Sequence, residues 1–288
     1  MRFSRLGLFV FILSTVLIGT NCNYYNRIIA RKNLVDGAAA YQGRKFQEAQ
    51  ELFREAVARD PQLTTIEGKT AQLFLARTLH SEYIGKRKET GIAEQAIAEY
   101  QKVLQVDPKD QSAYKAVANL YENLGKNDEW LQWVTTRANN EAVPPEQRAE
   151  ALTSLAAKKN SCANDISDTE ETKKTVTKDG KPAFEFVKPA DQAKFDELKQ
   201  CAQEGIQMTQ KAVQLDPNSD SAWSYHTSLL IQNMRVAEME GNKEQAAQYK
   251  TQSDEAKEKF TALAEAKRQK EEAEAERKKA EAEAANKK

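Results

Sequence analysis

Three amphipathic stretches of this 288-residue chain end in the same dipeptide, Asp60-Pro61, Asp107-Pro108 and Asp216-Pro217, and this recurrence limits the possible folds more than any other feature. Proline cannot continue a helix, so each pair marks the end of one helix and the opening of the next unit. The segment from Ala30 to Pro61 shows what such a unit contains. Leu34, Ala38 and Tyr41 share one face of a first helix, and Ala49, Phe53 and Ala56 share one face of a second. Small residues on those faces permit close helix approach. The same ending returns with Ala96, Tyr100 and Val103, and again with Ala212. Only 11 Gly and 7 Pro interrupt a composition rich in Ala, Glu, Lys and Gln, so the expected fold class is all-α.

At Gly37, Tyr41, Phe46, Ala49, Phe53, Ala56 and Pro61 the first unit resembles the tetratricopeptide repeat family, whose units are helix-turn-helix pairs of 34 residues. A third unit, SAYKAVANLYENLGKNDEW, matches at Tyr114, Tyr121 and Gly125 and departs at Trp130, where the family has a small residue. A fourth first helix from about Pro145 to Lys159 and a fifth unit turning at Gly241 complete about five helix pairs. The resemblance implies repeats stacked as a right-handed superhelix with a concave groove lined by first helices, and a scaffold that binds a protein or peptide partner there. Carried over by register, the groove positions are Arg77, His80, Lys115, Asn119, Glu122 and Asn160. Lys115 and Asn119 resemble half of the family's carboxylate clamp, while Ser154, Ser221 and Tyr225 stand where its remaining members belong.

Two interruptions and a tail modify this plan. An enlarged turn, KRKETG, separates the helices of the second unit, and an insert from about Cys162 to Asp191 splits the fourth. Within the insert, alternating apolar positions flank Asp179-Gly180, a pair suited to a type I′ hairpin turn, and Pro182 restricts the second strand to an edge or a short ladder. Beyond Leu263 no large apolar residue remains, which predicts a solvated, charged helix with i,i+4 pairs such as Glu274–Lys278 and Glu283–Lys287. The expected organisation is a signal or anchor segment over 1–26, a repeat domain over 27–264 and a charged helical tail over 265–288.

The N-terminus has Arg2 and Arg5, an apolar run from Leu6 to Gly19, and then Cys22. That is an export signal or a membrane anchor. Its strongly apolar part is about 14 residues against the roughly 20 that span a bilayer. Asn21 stands where a lipobox has a small residue, so lipidated Cys22, an uncleaved anchor and ordinary cleavage all remain open. Export places the repeat domain outside the cytoplasm at a bacterial cell envelope; Arg27, Arg31 and Lys32 also leave a cytoplasm-facing domain possible. Within that setting the alternatives to a groove-binding adaptor are an outer-membrane assembly-type lipoprotein and a spacer working through the C-terminal helix.

Nothing in the sequence assembles a catalytic set, and no enzyme activity, cofactor, metal or small-molecule substrate is expected. His80 and His226 each stand alone, without a partner at metal-ligand spacing. Glu67-Gly68-Lys69-Thr70 has the end of a phosphate-binding loop but Leu63 where the first glycine belongs. Equal numbers of basic and acidic residues, 43 each, give no field to draw in nucleic acid. Cys162 and Cys201 bracket the insert on helices expected to pair antiparallel; they form either a structural disulfide or two separate buried thiols.

Overall fold

The computed structural model describes residues 5–178 and 180–286, with side chains over 24–177 and 180–284. Cys22, the lipidation candidate, and Asp179 and Lys287 fall outside the described side chains. Among the described residues, ten helices follow one another as five pairs: α1 (Arg5–Gln42) with α2 (Phe46–Ala58), α3 (Ile66–Gly85) with α4 (Thr90–Val106), α5 (Gln111–Asn123) with α6 (Asn127–Asn139), α7 (Pro145–Ser167) with α8 (Gln192–Leu215), and α9 (Asp220–Met239) with α10 (Lys243–Asn286). Strands β1 (Lys173–Lys178) and β2 (Lys181–Phe186) interrupt the fourth pair. The helices group into two compact units, Met1–Trp130 and Leu131–Lys288.

Local chemistry fixes the helix ends. Thr65, Asp110, Asp191 and Ser219 cap α3, α5, α8 and α9 through side-chain oxygens that accept backbone N–H groups, and α7 opens on Pro145, where a missing N–H costs nothing. The Asp of each Asp-Pro ending also accepts local bonds. Asp107 and Asp216 take the N–H two residues on, from Lys109 and Asn218. Asp60 instead accepts four bonds, from the N–H and hydroxyl of both Thr64 and Thr65. α5 and α9 end in Gly125 and Gly241 with positive φ, the left-handed position that closes a helix C-terminus. In the first pair this position is Arg44, at φ 58°, followed by the closing bond from Lys45 N–H to the Ala40 carbonyl. A side chain there costs conformational energy, so Arg44→Gly is expected to stabilise the first unit by roughly 0.5–1 kcal/mol, read as a higher urea midpoint.

In the first unit, α1 packs on α2 and α3, α2 on α3, α3 on α4 and α4 on α5. Ala49, Phe53 and Ala56 are fully buried, as are Ala71, Ala76, Ala93, Ala96 and Val117. Gly37 lets α1 and α2 approach: a Cβ built on it would lie 2.7 Å from the Phe53 ring. In the second unit, α8 packs against both α7 and α9, and α9 against α10. Leu198, Leu229 and Leu230 anchor its core. Gly205 does there what Gly37 does in the first unit, since an added Cβ would stand 2.5 Å from Leu229 and 3.1 Å from Lys159.

α7 runs to Ser167, two turns past the Lys159 boundary that the sequence suggests, so the insert proper begins at Asp168 rather than near Cys162. Ala163, Cys162 and Ile166 pack these two turns against the α8–α9 core, and polar bonds add to that packing. Buried Ser167 donates to Gln232 of α9, and the Gln232 amide donates to Asn164. The hairpin is antiparallel with Lys178 opposite Lys181, leaving a two-residue loop in which Gly180 has φ 73°. Pro182 pairs with Thr177 in a two-strand ladder, where both strands are edges and the missing donor is tolerated. α10 continues as one helix to Asn286. Its Lys267 pairs with Asp220, the first residue of α9, and the exposed stretch beyond carries pairs such as Lys278–Glu274.

Candidate functional site

In the first unit the first helices of successive pairs are joined by polar side chains. The Tyr41 hydroxyl of α1 shares a hydrogen bond of 3.0 Å with Ser81 of α3, and its ring meets Phe74 edge-on. Arg77 stacks over Phe74 and donates to the Ser112 hydroxyl of α5 at 3.2 Å. Arg87 donates to the Asn123 side-chain oxygen, and the Asn123 amide donates to both oxygens of Asn119. These bonds fix α1, α3 and α5 in one row and preset the rotamers along it.

Five of the six groove candidates fall in this unit. Lys115, Asn119 and Glu122 are exposed on α5, one turn or less apart, and Arg77 is partly exposed on α3. His80 differs. Its ring lies edge-on to Tyr100 of α4, 3.4 Å from that hydroxyl, so it faces the second helix of its own pair. Asn160 belongs to the second unit, half-buried on α7 with its side-chain oxygen lacking a hydrogen-bond donor. Ser154, at a clamp position, donates its hydroxyl back to the Glu150 carbonyl. Of the residues that organise the row, Tyr41 was named as a repeat position, while Phe74, Ser81, Ser112 and Asn123 were not among the sequence candidates. Their signal is faint, because a serine or asparagine on a helix face has no apolar period to flag it.

Chemically, the row offers cationic and amide donors suited to backbone carbonyls and carboxylates. Among the described residues no group of three or more His, Cys, Asp or Glu is placed to hold a metal ion. Burial pushes the His80 imidazole below its ordinary value, helped by the nearby Arg87 charge. Burial does the same for His226, whose Nδ1 lies 2.9 Å from the Thr209 hydroxyl. Glu67-Gly68-Lys69-Thr70 is the first turn of α3, where a Cβ on Gly68 would stand 2.4 Å from the Asp60 carboxylate; the glycine makes room for that carboxylate, not for a phosphate.

These shifts set a pH dependence. An imidazole held below the unfolded value of about 6.5 binds fewer protons in the folded state, so stability is full above that pH and falls as pH drops toward the folded pKa. Burial alone would raise the Asp60 pKa, but the four bonds from Thr65 and Thr64 outweigh it and lower it, adding a loss below about pH 4. The melting temperature is therefore expected to fall between pH 7 and pH 5. His80→Gln with His226→Gln should flatten that slope, while leaving the loss below about pH 4.

Paired helices in series, an Ala-lined interior and glycine-mediated contacts define a tetratricopeptide-like helical-repeat fold. No family model matches the chain, and no curated protein matches it. Solved helical-repeat proteins match over most of both chains at low identity. MamA is 14% identical over 84% of this chain and 96% of its own, with a TM-score of 0.40. PilF of Pseudomonas aeruginosa is 14% identical over 79% and 91%, with a TM-score of 0.38. A tetratricopeptide repeat protein of Parabacteroides merdae is 12% identical over 82% and 97%, with a TM-score of 0.34. Likeness at this level leaves function to be argued from the residues themselves.

Proposed function

We propose that the chain is a non-enzymatic adaptor of the bacterial cell envelope, held there by its N-terminal segment and binding a protein segment along the first helices of its repeats. The observation that carries the reading is the row of α1, α3 and α5. Its side chains are already tied to one another, so a partner laid across it would lose little rotamer entropy in the adaptor, and Lys115 and Asn119 stand exposed on it. The apolar run Leu6–Gly19 supports export or anchoring. The joined cysteines of α7 and α8 support an oxidising compartment.

A photo-crosslinking residue at position 119 of the full-length protein, in its native host, is expected to give a discrete adduct that the same probe at exposed Glu48 of α2 does not. Lys115→Ala should weaken that complex by about 1.5–3 kcal/mol, the worth of a charged hydrogen bond. Equal adducts from both positions, or unchanged binding by the variant, would remove these residues from the site.

The stretch of α10 past Lys267 favours a second reading, a spacer arm, because it extends beyond the start of its partner α9 and is exposed at every residue from 268 to 284. Deleting residues 265–288 separates the two: loss of assembly with adduct formation from position 119 retained supports the arm.

A further inference from the structure

Among the large exposed apolar side chains of the first unit, several collect at one end. Tyr24 is 69% exposed, Tyr25 61%, Ile28 48% and Ile66 74%. The first three stand on α1 and the last opens α3. The ion pair from Arg27 to Glu67, 3.0 Å, sets the start of α3 level with this part of α1. Between them lies an open cleft of about 320 Å³, lined by Tyr24, Asn26, Arg27 and Ala30 of α1 and by Arg59, Asp60, Thr64 and Thr65 at the α2–α3 turn. Asp60 keeps its negative charge in the cleft, held ionised by the Thr64 and Thr65 donors, and stands beside the Arg59 of the same turn. From Tyr24 to Asp36, α1 holds Arg27, Arg31 and Lys32 against the single acidic residue Asp36, which pairs with Lys32 at 3.0 Å.

We infer that this end of the first unit is a seat for the anionic headgroups of a bilayer, with Tyr24, Tyr25, Ile28 and Ile66 entering the interface and Arg27, Arg31, Lys32 and Arg59 meeting lipid phosphates. Tyrosines favour the headgroup level, where an apolar ring and a polar hydroxyl are both satisfied, and basic residues beside them are attracted to anionic lipid. The seat rests on the reading of the N-terminus as a membrane anchor. Either form of anchor, acylated Cys22 or the apolar run that ends at Gly19, lies within about one and a half turns of Tyr24 along a helix. α1 is a single helix from Arg5 to Gln42, so no flexible linker separates the anchor from the first repeat. The uncharged stretch Leu6–Asn26 would be about 31 Å long as a helix. An upright helix places Val35 about 16 Å above Tyr24, and Ile84, at the far end of α3, about 27 Å from Ile66. Both are exposed and stand clear of lipid, which makes them internal controls.

The test is hydroxyl-radical footprinting of the full-length chain in nanodiscs of phosphatidylcholine with phosphatidylglycerol, with each residue's labelling normalised to the urea-unfolded chain. Tyr24, Tyr25, Ile28 and Ile66 are expected to be protected several-fold while Val35 and Ile84 label as exposed residues. Protection should weaken in pure phosphatidylcholine discs and at high salt. A chain that stays in the disc while all six positions label freely overturns the seat and leaves the anchor standing. Protection of Val35 equal to that of Tyr24, which shares its helix face, means a helix lying flat and overturns the upright seat. Protection only in discs holding two chains makes the occupant a second copy and overturns it too. A chain that separates from the discs on gel filtration overturns anchor and seat together.

Discussion

Phe53→Ala is expected to destabilise the first unit by about 3–5 kcal/mol, the cost of removing a large buried ring whose surroundings relax only partly. Phe53 is 0% exposed, stacks at 5.6 Å on Phe74 of α3, and lies over the bare backbone of Gly37. That last contact gives the prediction a second, sharper part. Gly37→Val in the intact protein drives a branched side chain into the ring and should cost about 1–3 kcal/mol. In the Phe53→Ala background the same substitution enters space the ring has left, and its cost should largely vanish. Urea denaturation of the four members of this cycle measures the coupling directly. Additive losses would mean that α1 and α2 are not held together through this pair.

Gly37 and Phe53 were each legible in the sequence as repeat positions, although their contact was not, since spacing names the positions and only the packing shows that they meet. The hairpin was legible as well, where Asp179-Gly180 between alternating strands announces a two-residue loop. The positive-φ residues Arg44 and Leu63 were not legible, since only glycine and asparagine advertise that conformation. The last two turns of α7 were also missed. Residues Asn160 to Ser167 carry only Cys162, Ala163 and Ile166 as apolar residues, and what holds them is packing of these three against α8 and α9 together with the amide and hydroxyl network to α9, whose partners lie more than sixty positions away. For the candidate site the limit is similar. Sequence register put Lys115, Asn119 and Glu122 on an exposed face, but could not show that His80 turns toward Tyr100 or that Arg77 is held by Phe74 and Ser112. Register assigns a residue to a helix face. It does not say which neighbour occupies that face.

Reducing the bond between Cys162 and Cys201 is expected to lower the stability of the second unit by about 4 kcal/mol while leaving the first unit unchanged. The two residues, 39 positions apart with Cα atoms separated by 6.2 Å, tie α7 to α8 across the whole insert. The cross-link acts chiefly by restricting the unfolded chain. In the folded unit Ala163, Phe195, Leu198, Ala202 and Val236 already pack around the sulfurs. The base of the hairpin also has its own supports. The buried Thr172 hydroxyl donates to the Ile166 carbonyl, the Val187 N–H donates to the Thr172 carbonyl, and the Arg235 guanidinium stacks 4.0 Å over Phe186. Reduction should therefore shift the unfolding midpoint of the second unit without changing how exposed Phe184 at the hairpin is to labelling under native conditions. If labelling elsewhere on the hairpin rises on reduction, with the midpoint unmoved, the bond serves to hold the insert in place. If the midpoint falls as expected and the hairpin stays put, the bond serves the stability of the helix pair, and the insert keeps its position through Thr172 and Arg235.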